Sequence, residues 1–499
     1  MKTAKPSRGK ARPAAPPERA TAPPEESRRP WPSWAVYAAG SAAALIPCYW
    51  QLRIQAGDLA SHIYNAWLAQ LIQSGRAPGL KLVSQTTNVL FDLLLSGLLR
   101  AFGPAAAQRM AVSLAVLVFV WGAFAFVSKV SGTRPTHLLT AIVMLAYGWV
   151  FHMGLFNFYL SLGLCFWAMA LAWDFRPSRV AAAVPIFALA YVAHGMALAW
   201  ALAALGYKFL SERLPPAQRM PLFGAAVAAV LLLSFTIASV FKTIWFEVQL
   251  ESVIAVDQVA VYGNRYWWCS LLLFAGLAIG VVLVARRSGF RGLIASVPVQ
   301  ICALTTLGIA VIPNWISIPG YNHALVFLAQ RTSLAVGVCI CAVAGAARPR
   351  WYQNCALAAA AALFFGFLYQ DEGALNGLED RMEALVAQLP PGQRVLSNID
   401  APDVRTNPVT HIIDRVCLGR CYSYGNYEPS SAQFRVRIAG VSPLVVPTDK
   451  DANQLQGGVY VVQPRDVPLY QVRLMPDGAL SLVSLAPGMQ TGITAWFGL

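Results

Sequence analysis

Long apolar runs, separated by short polar and often basic segments, dominate the chain from Ser33 to about Tyr369. Many approach the roughly 20 residues that a helix needs to cross a hydrocarbon core. None alternates as a barrel strand does, and only helices or closed barrels satisfy the backbone in lipid. The pattern predicts about eleven spans, at 33–50, 105–127, 136–152, 157–174, 180–194, 196–211, 220–241, 268–285, 292–312, 332–347 and 351–369. The first run, Trp34 to Trp50, has a long leading segment and no convincing cleavage site after it, which reads as a retained anchor.

Two amphipathic stretches interrupt this pattern within the long loop 51–104. Residues 57–72 and 88–102, separated by a turn at Pro78-Gly79, predict helices lying at the membrane surface. After Tyr369 the pattern changes again. Leu375, Leu378, Met382, Leu385 and Leu389 mark one helix face, Pro390-Pro391-Gly392 stops it, and 394–396, 458–462 and 479–483 read as strands. The fold class is therefore an α-helical polytopic membrane bundle over 33–369, with a small external α+β domain over 370–499. Residues 1–32, rich in Pro, Ala and Arg with almost no apolar content, read as a disordered basic cytoplasmic tail.

Composition agrees. Charged residues make up 12% and mean hydropathy is +0.53, against about 25% charged in soluble domains. The net charge of +15 would fit a nucleic-acid partner, but the basic residues sit at the ends of apolar runs and form no single stripe. Nucleic acid is therefore excluded as a partner. With the N-terminus in the cytoplasm, 20 basic residues fall on the cytoplasmic side and eight in the opposite loops of the bundle. That bias follows the positive-inside rule. An odd number of spans puts the tail outside, in the periplasm of a bacterial inner-membrane protein.

Polar residues collect on the external side. Asp58 and His62 are four apart, so they share a face if the helix already includes Asp58. A carboxylate beside an imidazole can act as a general base or ligate a divalent cation such as Mg or Mn. Asp58 could equally be only the N-cap of that helix. His62, His152, His194 and His323 fall at external ends of elements, and His411 lies in the external domain. Glu247, Glu251 and Asp257 share one external loop, as a metal or sugar site or as a solvated face. Arg331 opens a span on the external side and suits either a lipid phosphate or a head-group anchor.

Of nine cysteines, seven lie in or beside apolar runs. Cys417 and Cys421 lie in the tail, where an external compartment permits a disulfide. Binding of a metal with His411 is the alternative. No P-loop, G-x-G-x-x-G or H-E-x-x-H motif occurs.

The layout resembles the GT-C superfamily of integral-membrane glycosyltransferases, in particular its bacterial ArnT-like and protein-mannosyltransferase-like members. The resemblance rests on Gly57-Asp58-Leu59-Ala60-Ser61-His62, on Asn65-Ala66-Trp67-Leu68, on the stretch Phe91 to Gly103 that contains Asp92, and on Arg109. As architecture it covers about 34–370. Many members carry an Asp-Glu pair where this chain has Asp58-Leu59, and a Pro-Pro-Leu-like element near the place of Gln85-Thr86-Thr87-Asn88. The resemblance implies an inverting transferase that moves a sugar from a polyprenyl-phosphate donor to a glycan, lipid or protein acceptor. Asp58 would then be the base or a cation ligand, Arg331 the phosphate contact, and His62, Asp92 and His194 the cavity lining. A transporter or a non-catalytic assembly protein is the competing expectation.

Overall fold

A computed structural model describes residues 33–320, 324–347 and 351–499. The predicted disordered tail 1–32, together with Asn322 and His323, lies outside the described residues. The chain opens with α1 (Ser33–Leu45), followed by α2 (Leu59–Gln73), α3 (Leu90–Phe102) and α4 (Pro104–Ser131). The apolar run 136–152 is divided into α5 (Leu139–Ala146) and α6 (Trp149–His152), because the backbone turns at Tyr147-Gly148. Next come α7 (Phe156–Ala172), α8 (Pro177–Ala193), α9 (Gly195–Arg213) and α10 (Pro216–Val240). A short α11 (Gln249–Ser252) precedes α12 (Tyr266–Ile294), α13 (Val297–Val311), α14 (Leu328–Ala344) and α15 (Trp351–Val386).

Four of these helices are long and apolar enough to cross a membrane: α4, α10, α12 and α15. Several shorter apolar helices accompany them. In α4, 67% of the apolar window is buried and in α10 none is, so α4 is the centre of the bundle and α10 its rim. Leu232 and Phe235 of α10 are exposed, as expected of a helix whose solvent is hydrocarbon. Around α4, Phe119, Phe126, Tyr159 and Phe166 are buried and their rings pack against one another.

The helix α2, expected as an amphipathic surface helix, is mostly buried in protein. Ten of its fifteen residues are buried, because the C-terminal domain covers the face that would otherwise meet water. Each fully buried Leu or Ile side chain, such as Leu59, Ile63 or Leu68, is worth roughly 2 kcal/mol. Polar bonds fix the same contact. Tyr64 hydroxyl accepts from Ser423 N–H at 2.9 Å, and Asn426 Nδ2 donates to Asn65 Oδ1 at 2.8 Å.

The C-terminal domain hangs on α15, which runs unbroken past residue 369, where hydropathy ends the last span. It adds α16 (Ile412–Val416), α17 (Glu428–Ser431) and α18 (Asp449–Gln456). In chain order the strands are β1 (Leu80–Leu82), β2 (Lys242–Ile244), β3 (Trp315–Ser317), β4 (Leu325–Val326), β5 (Arg394–Ser397), β6 (Ile399–Asp400), β7 (Tyr422–Ser423), β8 (Val436–Ile438), β9 (Leu469–Leu474), β10 (Leu480–Leu485) and β11 (Thr494–Ala495). The domain's main sheet has the order β10-β9-β5-β7. Its β9–β10 pair is antiparallel, and β5 runs parallel to both β9 and β7. The expected strand at 458–462 forms only an isolated bridge, Val461 to Gln490. Two further pairings join distant segments. Strand β1 of the first long loop pairs antiparallel with β8 of the tail, with Lys81 opposite Arg437. Strands β2, β3 and β4 bring the loops before α11 and before α14 together.

Candidate functional site

Asp58 precedes α2 with helical backbone angles (φ −70°, ψ −7°), and its side chain makes no capping hydrogen bond. Its carboxylate is therefore not consumed by the helix start. Its backbone is held from below: Asp58 N–H donates to Met153 O at 3.1 Å, and Gly57 N–H to His152 O at 2.8 Å. Gly154 makes this approach possible. It has φ +79°, and a Cβ there would stand 2.4 Å from Asp58 N. His152 itself is buried, with Nδ1 2.9 Å from the Tyr262 hydroxyl and 3.3 Å from Gln55 O.

Asp58 and His62 do not pair, although they follow one another by one turn. His62 Nδ1 lies 2.7 Å from Asp92 Oδ1, and Asn157 Nδ2 donates to Asp92 Oδ2 at 2.8 Å. Asn157 Oδ1 in turn accepts from Phe91 N–H at 2.8 Å, so α7 fixes the start of α3. Burial works against a charged imidazole at His62, but the Asp92 carboxylate outweighs it and raises the His62 pKa to about 9. The Asp92 pKa is lowered: burial opposes this, and the charge and hydrogen bond of His62 overcome it. His62 and Asp92 thus form an ion pair that line a small cavity with Glu428 and Arg435 of the tail. Burial, with Asp92 adding to it, pushes the Glu428 carboxyl up to about 8.

The partner of Asp58 comes from the C-terminal domain. Asp58 Oδ1 lies 3.7 Å from His411 Nε2. His411 Nδ1 lies 3.0 Å from Asp414 Oδ2, and Ser423 Oγ donates to Asp414 Oδ1. The His411 and Asp414 side chains are 9% and 3% exposed, whereas Asp58 is 28% exposed and can meet a ligand. Burial disfavours charge on His411, but the hydrogen bond and charge of Asp414, with Asp58 and Glu428, raise its pKa. The His411 imidazole therefore stands between two carboxylates, one fixed and one accessible.

Arg331, in the first turn of α14, lies within electrostatic reach of Asp58. Its Nη1 is 3.2 Å from His194 Nε2, and its Nε is buried with no hydrogen-bond partner among the described residues. His194 Nδ1 accepts from Met196 N–H at 3.2 Å, capping α9. The Arg331 guanidinium and Met196 N–H thus approach the two ring nitrogens of His194, of which a neutral imidazole can accept at only one. A buried guanidinium with an unfilled Nε suits an anionic ligand.

The remaining candidates separate from this centre. Glu251 pairs with Arg405, whose guanidinium lies 4.8 Å from the centre of the Trp267 ring, while Glu247 is exposed. Asp257 is buried and accepts from Ser252 Oγ at 2.9 Å and Ser333 Oγ at 2.8 Å. Cys417 and Cys421 form a disulfide at the end of α16, so neither thiolate is free to ligate a metal with His411. Among the described residues no three His, Cys, Asp or Glu side chains gather as a metal site.

Hydropathy and local spacing miss the His411–Asp414–Ser423 chain as part of the site. The i, i+3 spacing of His411 and Asp414 was its one local signal; the contact with Asp58 spans more than 350 residues. Comparison with protein-family models, with curated proteins and with solved structures finds no match. The functional reading therefore rests on the chemistry of the site. That chemistry is an accessible carboxylate, an imidazole beside it, and a buried guanidinium packed against His194.

Proposed function

We propose that this chain is an inverting membrane glycosyltransferase, with a GT-C-like bundle of eleven spans, that uses a polyprenyl-phosphate sugar on the external face of the bacterial inner membrane. The carrying observation is the uncapped Asp58 carboxylate within electrostatic reach of Arg331, a guanidinium packed on His194 whose buried Nε has no hydrogen-bond partner among the described residues. A transfer that releases phosphate needs both: a base where a proton is lost, and donors where negative charge builds up. Loop charge supports a cytoplasmic N-terminus and an external C-terminal domain.

In the proposed step the oxygen of an acceptor hydroxyl attacks the anomeric carbon of the donor sugar. The bond from that carbon to the phosphate oxygen breaks, and its electron pair leaves with the phosphate. The hydroxyl proton passes to Asp58. Arg331, positioned by His194, holds the phosphate oxygens as their charge grows. The His62–Asp92 ion pair fixes α2 against α3 and so holds the loop that carries Asp58. The acceptor is a glycan, a lipid or a protein.

Proteoliposomes given a polyprenyl-phosphate sugar provide the test. Asp58→Asn should slow transfer by about 10²–10⁴-fold, the usual contribution of a positioned base, at unchanged thermal stability. Arg331→Gln should weaken donor binding. Undiminished transfer by Asp58→Asn sinks the assignment, and no transfer by the parent protein with any such donor favours the assembly-protein alternative.

A further inference from the structure

Behind His411 the C-terminal domain encloses a second cavity of about 230 Å³. Its wall contains His411, Asp414 and Ser423, the chain that leads to Asp58. The first long loop borders it too, since a Cβ on Gly57 would stand 3.1 Å from the backbone oxygen of Asn407. The cavity is thus separated from the proposed reaction centre by a single imidazole ring.

Its lining specifies a ligand chemistry. Ser397, Asn398, Asn407, Thr410 and Gln456 supply neutral hydroxyls and amides. The Ser397 hydroxyl is buried and has no hydrogen-bond partner among the described residues, a position that is costly unless a ligand or water completes it. Ile399, Ile413 and Leu455 provide apolar patches between these groups. No Lys or Arg lines the cavity, and its acids are Asp400 and Asp414. Two carboxyls against the single imidazole of His411 disfavour an anion such as a phosphate or a carboxylate. Alternating hydroxyl partners and apolar patches match the face of a pyranose or furanose ring, which presents C–H groups between its hydroxyls.

We propose that this cavity binds a neutral sugar residue, and that it is where the C-terminal domain holds a glycan acceptor next to Asp58. The acceptor role rests on the transferase reading above; the binding of a neutral sugar does not.

The test uses the full chain in detergent micelles, without donor, and follows ligand binding by saturation-transfer-difference NMR. The probes are free glucose, galactose, mannose and arabinose, with inorganic phosphate and a Ser/Thr-containing tetrapeptide as contrasts. At least one neutral sugar should bind saturably. Ser397→Ala combined with Asn407→Ala should weaken it by about tenfold, the sum of two modest hydrogen bonds. Thr410→Val, which conserves shape, should weaken it about threefold and serves if the double variant does not fold. Asp58→Asn should bind the sugar as the parent does. The proposal is overturned if no sugar of the panel saturates, if phosphate or the peptide binds in their place, or if all variants bind like the parent. Sugar binding that persists in a protein with no transferase activity would instead remove the transferase reading and leave the cavity assignment intact.

Discussion

Replacing Arg415 by methionine should undock the C-terminal domain from the bundle. All five N–H groups of this guanidinium are used. Nε and Nη2 donate to the two Glu379 carboxylate oxygens at 2.7 and 2.6 Å. The second Nη2 proton goes to Gln55 Oε1 at 3.1 Å, and the Nη1 protons go to Ile54 O at 2.9 Å and Gln108 Oε1 at 3.1 Å. The side chains of Arg415 and Glu379 are 8% and 1% exposed, so the pair is desolvated and bidentate. Removing one partner of such a pair costs about 3–5 kcal/mol, mostly from the stranded charge. Glu379 keeps Gln55 Nε2 at 2.8 Å and Arg53 Nε at 3.3 Å, which places Arg415→Met near the low end, about 3 kcal/mol. Converting Glu379 to methionine as well removes the stranded carboxylate, and the double variant should recover to within about 1 kcal/mol of the parent. Pulse proteolysis across a urea series, at fixed detergent, reads the folded fraction for the cycle. Because α16 carries both Arg415 and Asp414, transfer should fall with docking in the single variant. A single variant within about 1 kcal/mol of the parent, or a double variant worse than the single, refutes the desolvated-pair reasoning.

Three other outcomes follow from the same structure. The His62 pKa is raised to about 9, so its contribution is full below the ordinary 6.5 and is lost as pH rises through about 9; Glu428, raised to about 8, loses its contribution in the same direction. Melting temperature should fall between pH 7.5 and 9.5 in the parent and fall less in His62→Gln and Glu428→Gln, and a flat parent profile would contradict the ion pair. Gly154→Ala should push the Asp58 backbone away, since the new Cβ would stand 2.4 Å from Asp58 N at a φ of +79°. A displacement of about 1 Å can cost about 10²-fold in rate, read as lost transfer in a protein that still binds donor. The Cys417–Cys421 disulfide closes a loop with a sequence separation of only 4, so Cys417→Ser should cost no more than about 2 kcal/mol in urea unfolding.

Hydropathy alone identified the helices of the bundle, because lipid demands long apolar segments and leaves that demand written in the chain. It also marked the first long loop and a tail of different composition. Asp58, His62, Asp92, His194 and Arg331 were legible as polar groups gathered near the external ends of apolar elements. What they touch was not legible. Helical spacing joined Asp58 to His62, yet His62 turned to Asp92 on α3 and Asp58 to His411. Such pairings depend on how α2 is sandwiched between the bundle and the tail, and on the β1–β8 ladder that stitches loop to tail. Period and composition describe which face of an element is apolar, but they carry no record of which distant surface covers it. Contacts separated by more than 350 residues arise only when burial and desolvated pairs such as Arg415–Glu379 select one docking among many. The sequence by itself thus pointed to a helical membrane bundle with polar residues near the ends of its apolar elements. The tertiary structure decided that the C-terminal domain reaches back to place an imidazole beside Asp58, because only docking could bring those two groups within 3.7 Å.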